Sequence, residues 1–276
     1  MKPEFHTSPV DNPQTDDRVV ITGVGLVCGL GLDVRSTWTR VVQGHCAFRP
    51  LTALESGAGE PRTGAQADDL AEALLDHPGR EVVYLRRAVA EALEQAGLRR
   101  ARPCPPSRVA VVMGTTLHGM RHAGQFLRTG ERKRLARFLA GSTVAELARE
   151  FDFVGPTTTL CSACASGLAS VISGVTLLRA GLADVVIAGG YDPISEYAYG
   201  GFASMRLVSP GVLKPFSRHR AGMKLGEGYA AIILERAGGA GSRGVAPLAE
   251  VAGLGESCDA YHLSRPHPEG AGAAAA

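Results

Sequence analysis

TTTLCSACASGLASV, residues 157–171, is the stretch on which the reading of this chain turns. TTTLCSA has the β-branched character of a strand, and ASGLASVISGVTLLRAG, closed by Gly181, has that of an apolar helix. Cys164 falls where strand turns into helix, through Ala163, Ala165, Ser166 and Gly167, with the helix beginning near Leu168. A thiol at that point faces helix N–H groups that have no intrahelical partner, and the positive end of the helix dipole. Both favour thiolate and so a nucleophile near neutral pH. Small neighbours leave room for an acyl group, and the same N–H groups can bond an oxyanion formed on attack. In physical terms this is a nucleophile elbow. The plain alternative is a buried structural cysteine, and geometry alone leaves the two level.

Working outward, the flanking segments repeat the strand-then-helix theme. RVVITGVG, RVAVVMGTT (ending at Gly114), ADVVIAGGY and YAAIILERA read as buried strands. Val82 to Gln95 carries apolar residues at Leu85, Val89, Ala92 and Leu93, a helical period closed by Gly97. Thr37 to Gln43 suits a short helix holding the only tryptophan, and residues 131–151 a charged helical layer. Residues 52–80 read as surface loop with a helix or two, 191–228 as a long glycine-rich loop, and PLAEVAGLGES as a further strand or two. Residues 1–17, polar and proline-punctuated, read as a flexible leader. Short apolar strands alternating with helices indicate an α/β fold whose mostly parallel or mixed sheet is covered on both faces.

Composition narrows the function. With 29 Lys plus Arg against 27 Asp plus Glu, the net charge is 29 − 27 = +2, too balanced for a nucleic-acid or membrane-surface footprint. No apolar run approaches the roughly 18 residues of a membrane helix, and no signal-peptide pattern opens the chain. The expected setting is the cytoplasm. Six scattered cysteines (28, 46, 104, 161, 164, 258) then argue against a disulfide framework. Glycine is abundant, 35 of 276 or about 13% against a usual 7%, which implies tight turns and close backbone contacts. Gly23-Val24-Gly25 with Gly29 puts the third glycine one place late for a dinucleotide fingerprint, and no strand ending in an acid follows at the right distance. A tight turn under a packed strand accounts for it better. Cys161-Ser162-Ala163-Cys164 lacks the second ligand pair of a zinc site, so no metal is expected. It leaves a redox pair as a minor alternative, and Cys161 by itself reads as a small buried strand residue.

Several segments together resemble the β-ketoacyl-acyl carrier protein synthases, the ketosynthases of fatty acid and polyketide assembly. RVVITGVGLVCGLG with STWTRVVQG is similar to their opening strand, turn and first helix, and TTTLCSACASGLASV to their nucleophile segment, with Cys164 at the acylated position. DVVIAGGYDP, GGFASMRLVS, PFSRHRAGMKLGEGYAAIILER and DAYHLSRPHPEGAGAA follow in the family's order, from about Arg18 to the end. The position of the nucleophile resembles the elongating type more than thiolases or initiating synthases. The resemblance implies a thiolase-like fold of α-β-α-β-α layers, an acyl chain held on Cys164 as a thioester, and extension by decarboxylative Claisen condensation without cofactor. It implies an acyl carrier protein as partner, and a homodimer or heterodimer with another ketosynthase subunit. Phe202 resembles the pocket-gating aromatic, with a packed loop aromatic as the alternative, and Arg206 a carrier contact. Of the family's basic cluster before the helix at 82–95, only Arg80 is a candidate. Glu227 in GEGY reads as holding the hairpin rather than doing chemistry.

The chain also departs from the family. The two family histidines, in His-Gly-Thr and Asn-x-Phe-Gly-x-Gly-Gly-His motifs, have no counterpart among His6, His45, His77, His118, His122, His219, His262 and His267. His219 and His262 fall where the family has no catalytic assignment. By resemblance, residues 18–276 are the N-terminal domain with the start of the second half, ending after about two thirds of a synthase. Without its histidines and second oxyanion donor the chain is expected not to condense alone. Rival readings are a non-catalytic truncated partner of a complete synthase, and the Cys-x-x-Cys redox protein.

Overall fold

Four β-branched runs form the centre of the molecule. The computed structural model describes residues 16–54, 62–68, 70, 79–99, 102–262 and 265–276. In chain order the elements are β1 (Val19–Cys28), α1 (Val34–Val42), β2 (Arg49–Pro50), β3 (Thr63–Gly64), α2 (Arg80–Gln95), β4 (Val109–Gly114), α3 (Met120–Thr129), α4 (Lys133–Phe138), α5 (Gly141–Glu150) and β5 (Thr157–Leu160). There follow α6 (Ser166–Arg179), β6 (Val185–Asp192), α7 (Glu196–Ser204), β7 (Gly228–Arg236), α8 (Ala237–Ser242), β8 (Ala249–Glu250) and α9 (Ala271–Ala275).

Six strands make one mixed sheet in the order β5-β4-β6-β7-β1-β8. β5, β4 and β6 are mutually parallel, while β7 runs antiparallel to both β6 and β1. Period-two alternation sends the two faces of each strand to different helices. Val109, Val111 and Met113 of β4 join a core built with α2 and α5, and Ala110 and Val112 join a second core built with α6. The described residues therefore stack as helix, sheet, helix. α6 is apolar on nearly every side, and its outward Leu168 is 73% exposed. A helix apolar all round belongs between two layers.

The expected strands and the helices near 82–95 and 166–181 form where the pattern placed them. Other expectations change. β1 does not stop at a glycine turn; it runs to Cys28, with a register irregularity between Ile21 and Gly23. Gly23 and Gly25 sit inside the strand because α2 crosses there. A Cβ on Gly25 would lie 1.8 Å from the Ala88 carbonyl oxygen, and one on Gly23 2.1 Å from that of Ala92. Glu91 and Gln95 of α2 in turn accept from the Leu26 and Val24 amides. Gly25→Ala is therefore expected to push α2 off the sheet. The overpacking cost is about 3 kcal/mol, read as a lowered urea midpoint at unchanged slope.

α1 starts at Val34, earlier than its apolar pattern indicated, because the Asp33 carboxylate accepts from the Ser36 amide and caps it. The supposed loop 191–228 contains α7, capped by the Ser195 hydroxyl, which accepts from the Ala198 amide. Of PLAEVAGLGES only Ala249–Glu250 pairs as strand, against Val20 and Ile21. Residues 62–68 are not surface loop throughout, since Gln66 and Ala67 are buried. The remainder expected as loop or helix at 55–61, 69 and 71–78, and leader residues 1–15, lie outside the described residues.

Candidate active site

Because β4, β5 and β6 are parallel, their C-terminal ends open on one edge of the sheet, and three connections meet there. β4 leads into the turn at residues 115–118, β5 into the turn carrying Cys164, and β6 into α7. This is where open α/β sheets place their ligands.

Cys164 is exposed, in the turn immediately before α6. Ala165, at the helix cap, has no side chain to accept from the first helical amides. Turn hydrogen bonds run from the Ala165 amide to the Ser162 carbonyl at 3.0 Å and from the Ser166 amide to the Ala163 carbonyl at 3.1 Å. The Ser166 hydroxyl donates to the same Ala163 carbonyl at 2.6 Å and accepts from the Ser162 amide at 2.9 Å. Ala163, just before the nucleophile position, has φ +48°, a left-handed conformation costly for any residue with a Cβ. Gly114 makes the close seating of this helix start possible: a Cβ there would lie 2.0 Å from the Ser166 carbonyl oxygen. The alternative of a buried structural cysteine at 164 fails on its exposure. Cys161 is also exposed, not a buried strand residue, because β5 ends at Leu160.

Phe202 lies on α7, not in a loop, and is partly buried. Arg206 follows the same helix, exposed, with φ +57° and its amide bonded to the Ala203 carbonyl at 2.9 Å. Both belong to the connection that leaves the Cys164 edge of the sheet. Arg80 is elsewhere in role. Its side chain is 5% exposed and its Nη2 lies 2.6 Å from Glu227 Oε1, with Nε 3.0 Å from Oε2, so it offers nothing to a carrier. Burial works against the Arg80 charge, but hydrogen bonds and attraction from Glu227 outweigh it and hold the guanidinium protonated. Glu227 also accepts from the Ala67 amide at 2.7 Å and the Tyr229 hydroxyl at 3.0 Å, so it ties three segments together, as its position in GEGY suggested. His219 and His262 are exposed, and His219 Nε2 accepts from Arg218 Nε at 3.1 Å, as fits a solvated or structural role.

A cationic group that sequence reading passed over stands beside this edge. Arg132 and Lys133, at the start of α4, are exposed, and exposed Leu135 and Leu139 lie close by in the chain. α4 joins the 115–118 turn directly, His118 Nδ1 lying 2.8 Å from the Phe138 carbonyl oxygen. The run ERKRLARF carries the signal, four cations in eight residues, inside the charged helical layer expected at 131–151.

A mixed sheet flanked by helices, presenting an exposed thiol at the N-terminal end of an apolar helix, is the layout of the thiolase-like condensing enzymes. Residues 16–240 match the model of the β-ketoacyl synthase N-terminal domain, and the chain belongs to that family. It is 32% identical to nodulation protein E of Rhizobium sp. (strain N33), over 94% of this chain and 68% of that protein. It is 30% identical to 3-oxoacyl-[acyl-carrier-protein] synthase 2 of Coxiella burnetii, over 92% of this chain and 66% of that one. Among solved structures, the ishigamide ketosynthase/chain length factor superposes with TM-score 0.83 at 30% identity, over 92% of this chain and 67% of that one. The chain thus spans about two thirds of the length of these relatives. Among the described residues no helix is long and apolar enough to cross a membrane.

Proposed function

We propose that this chain is the nucleophile-bearing part of a β-ketoacyl synthase, with Cys164 receiving an acyl group from a carrier thioester. The observation that carries the reading is the exposed Cys164 thiol at the uncapped start of α6. The thiolate attacks the thioester carbonyl, the carrier thiol leaves, and the acyl group stays as a thioester on Cys164. Helix amides near the sulfur lower the energy of the intermediate oxyanion. Decarboxylation of a malonyl thioester then generates an enolate, and its attack on the acyl-Cys164 carbonyl forms the carbon–carbon bond and frees the thiolate. The enolate needs donors that the family supplies from its two histidine motifs, and neither motif is in this sequence. Residues 18–276 are the ketosynthase N-terminal domain with the start of the second half, and condensation takes place where residues bearing those motifs complete the site. The setting is cytoplasmic, where six free thiols stay reduced.

Two partners fit. An acyl carrier protein, acidic in this family, is met by Arg206, Arg132 and Lys133, and Phe202 gates the acyl channel behind them. Support comes from their exposure beside the Cys164 edge and from the acyl carrier protein that the Coxiella relative has in its name. The second partner is another ketosynthase-type subunit, paired as homodimer or heterodimer along β5. That strand is the sheet edge, with Thr157 exposed and its neighbours half-buried, and an edge strand with free backbone groups is a template for pairing. Arg132→Glu with Lys133→Glu is expected to weaken carrier binding about 10-fold or more at low salt, with the loss shrinking as salt rises. Titration of a labelled carrier measures it.

Cerulenin labelling tests the main reading. Modification confined to Cys164 supports it. A reversible bond between Cys161 and Cys164 without adduct would instead make this a redox protein. A tight complex with a complete synthase whose activity ignores Cys164→Ala would make it a non-catalytic subunit.

A further inference from the structure

One carboxylate organises the edge on which Cys164 sits. Asp192 ends β6, and its Oδ1 accepts three hydrogen bonds: from the Thr115 hydroxyl at 2.8 Å, the Thr116 amide at 3.0 Å and the Leu117 amide at 2.7 Å. The Thr115 hydroxyl accepts in turn from the His118 amide at 2.9 Å, which closes the turn on itself. This leaves the Thr116 hydroxyl aimed outward from a rigid turn. It donates to the Ala163 carbonyl at 2.8 Å.

That carbonyl belongs to the left-handed residue directly before Cys164. Two of its donors, the Ser166 amide and hydroxyl, come from within the same helix turn and would travel with it. Thr116 brings its bond from another strand connection, so it alone of the three fixes the turn relative to the sheet. A left-handed alanine is strained, and such a state persists only where its surroundings over-determine it. Removing the external bond lets the turn relax and swings the thiol away from the α6 amides.

We propose that Thr116 and Asp192 are positioning residues for Cys164: the Asp192 carboxylate sets the 115–118 turn, and the Thr116 hydroxyl clamps Ala163 in the conformation that aims the thiol. The role rests on the reading of Cys164 as the nucleophile. It requires no contact between either residue and the acyl group.

Alkylation of the purified chain by iodoacetamide, followed cysteine by cysteine by mass spectrometry, tests the clamp without needing condensation. Exposed Cys46 and Cys258 serve as internal references. Thr116→Val and Asp192→Ala are expected to slow Cys164 about 5- to 10-fold relative to the references, the kinetic equivalent of one hydrogen bond. Thr116→Ser, which keeps the hydroxyl, is expected to restore the wild-type ratio, and Asp192→Asn, which keeps the Oδ1 acceptor, to stay near it. Unchanged Cys164 ratios in folded Thr116→Val and Asp192→Ala would overturn the clamp. So would equal slowing at all three cysteines, which is what general loosening produces. If Thr116→Val does not fold, Asp192→Ala and Thr116→Ser decide. A separate outcome addresses the nucleophile: a wild-type chain that alkylates as expected but takes no cerulenin or acyl group loses the enzyme reading while the clamp stands.

Discussion

Cys164→Ala leaves a chain that folds as before and takes up no acyl group from a carrier thioester, a loss on the order of 10³-fold or more. The stability half of that expectation follows from exposure. Cys164 is exposed in an open turn and lies outside the positive-φ region, so alanine replaces it without new backbone strain. Surface changes of this kind stay within about 0.5 kcal/mol. The activity half follows from chemistry: alanine has no nucleophile, and Cys161, although exposed, precedes the turn and lacks the helix start behind it. Intact-mass measurement after incubation with acyl carrier thioester reads both wild type and variant. An adduct that persists in Cys164→Ala and maps to Cys161 would transfer the site to the other thiol.

Arg80→Leu is expected to have the largest effect on stability, about 3–5 kcal/mol. It removes the guanidinium from a pair whose side chains are 5% and 0% exposed and strands a buried carboxylate. A domain of this kind has roughly 5–15 kcal/mol in total, so the variant stands near the threshold of unfolding. The melting temperature should fall by roughly 10 °C. Glu227→Leu alone should cost a similar amount by stranding the cation, and the double variant should cost less than the sum of the two. Arg80 as a carrier contact implies a different result: weaker carrier binding at an unchanged melting temperature. Thermal denaturation of the three variants separates the two roles.

Continuous apolar, β-branched runs made β4 and β6 legible, because both faces of the sheet are buried, and a helical period made α2 legible. The turn at Cys164 was legible because small residues between an apolar strand and an apolar helix have few other uses. Three things were hidden. Gly23 and Gly25 look like a turn in one dimension, and only the crossing of α2 at Ala88 and Ala92 explains them. α7 contains Gly200 and Gly201, poor helix formers, so its existence rests on the Ser195 cap and packing rather than on propensity. Arg80 looked like a surface cation because its partner is 147 residues away, and a charge whose counterion lies that far along the chain cannot be told from a solvated one. The clamp on Ala163 was invisible for the same reason, being formed by Thr116 and Asp192 from separate strand ends.

The central claim is that Cys164 accepts an acyl group and that residues bearing the two histidine motifs complete the site. Mass spectrometry of the purified chain with acyl carrier thioester, with and without a co-expressed polypeptide bearing the family's two histidine motifs, tests it most directly. The expected result is an adduct that maps to Cys164, formed far faster when that polypeptide is present. A soluble, monodisperse chain that forms no adduct under either condition would contradict it.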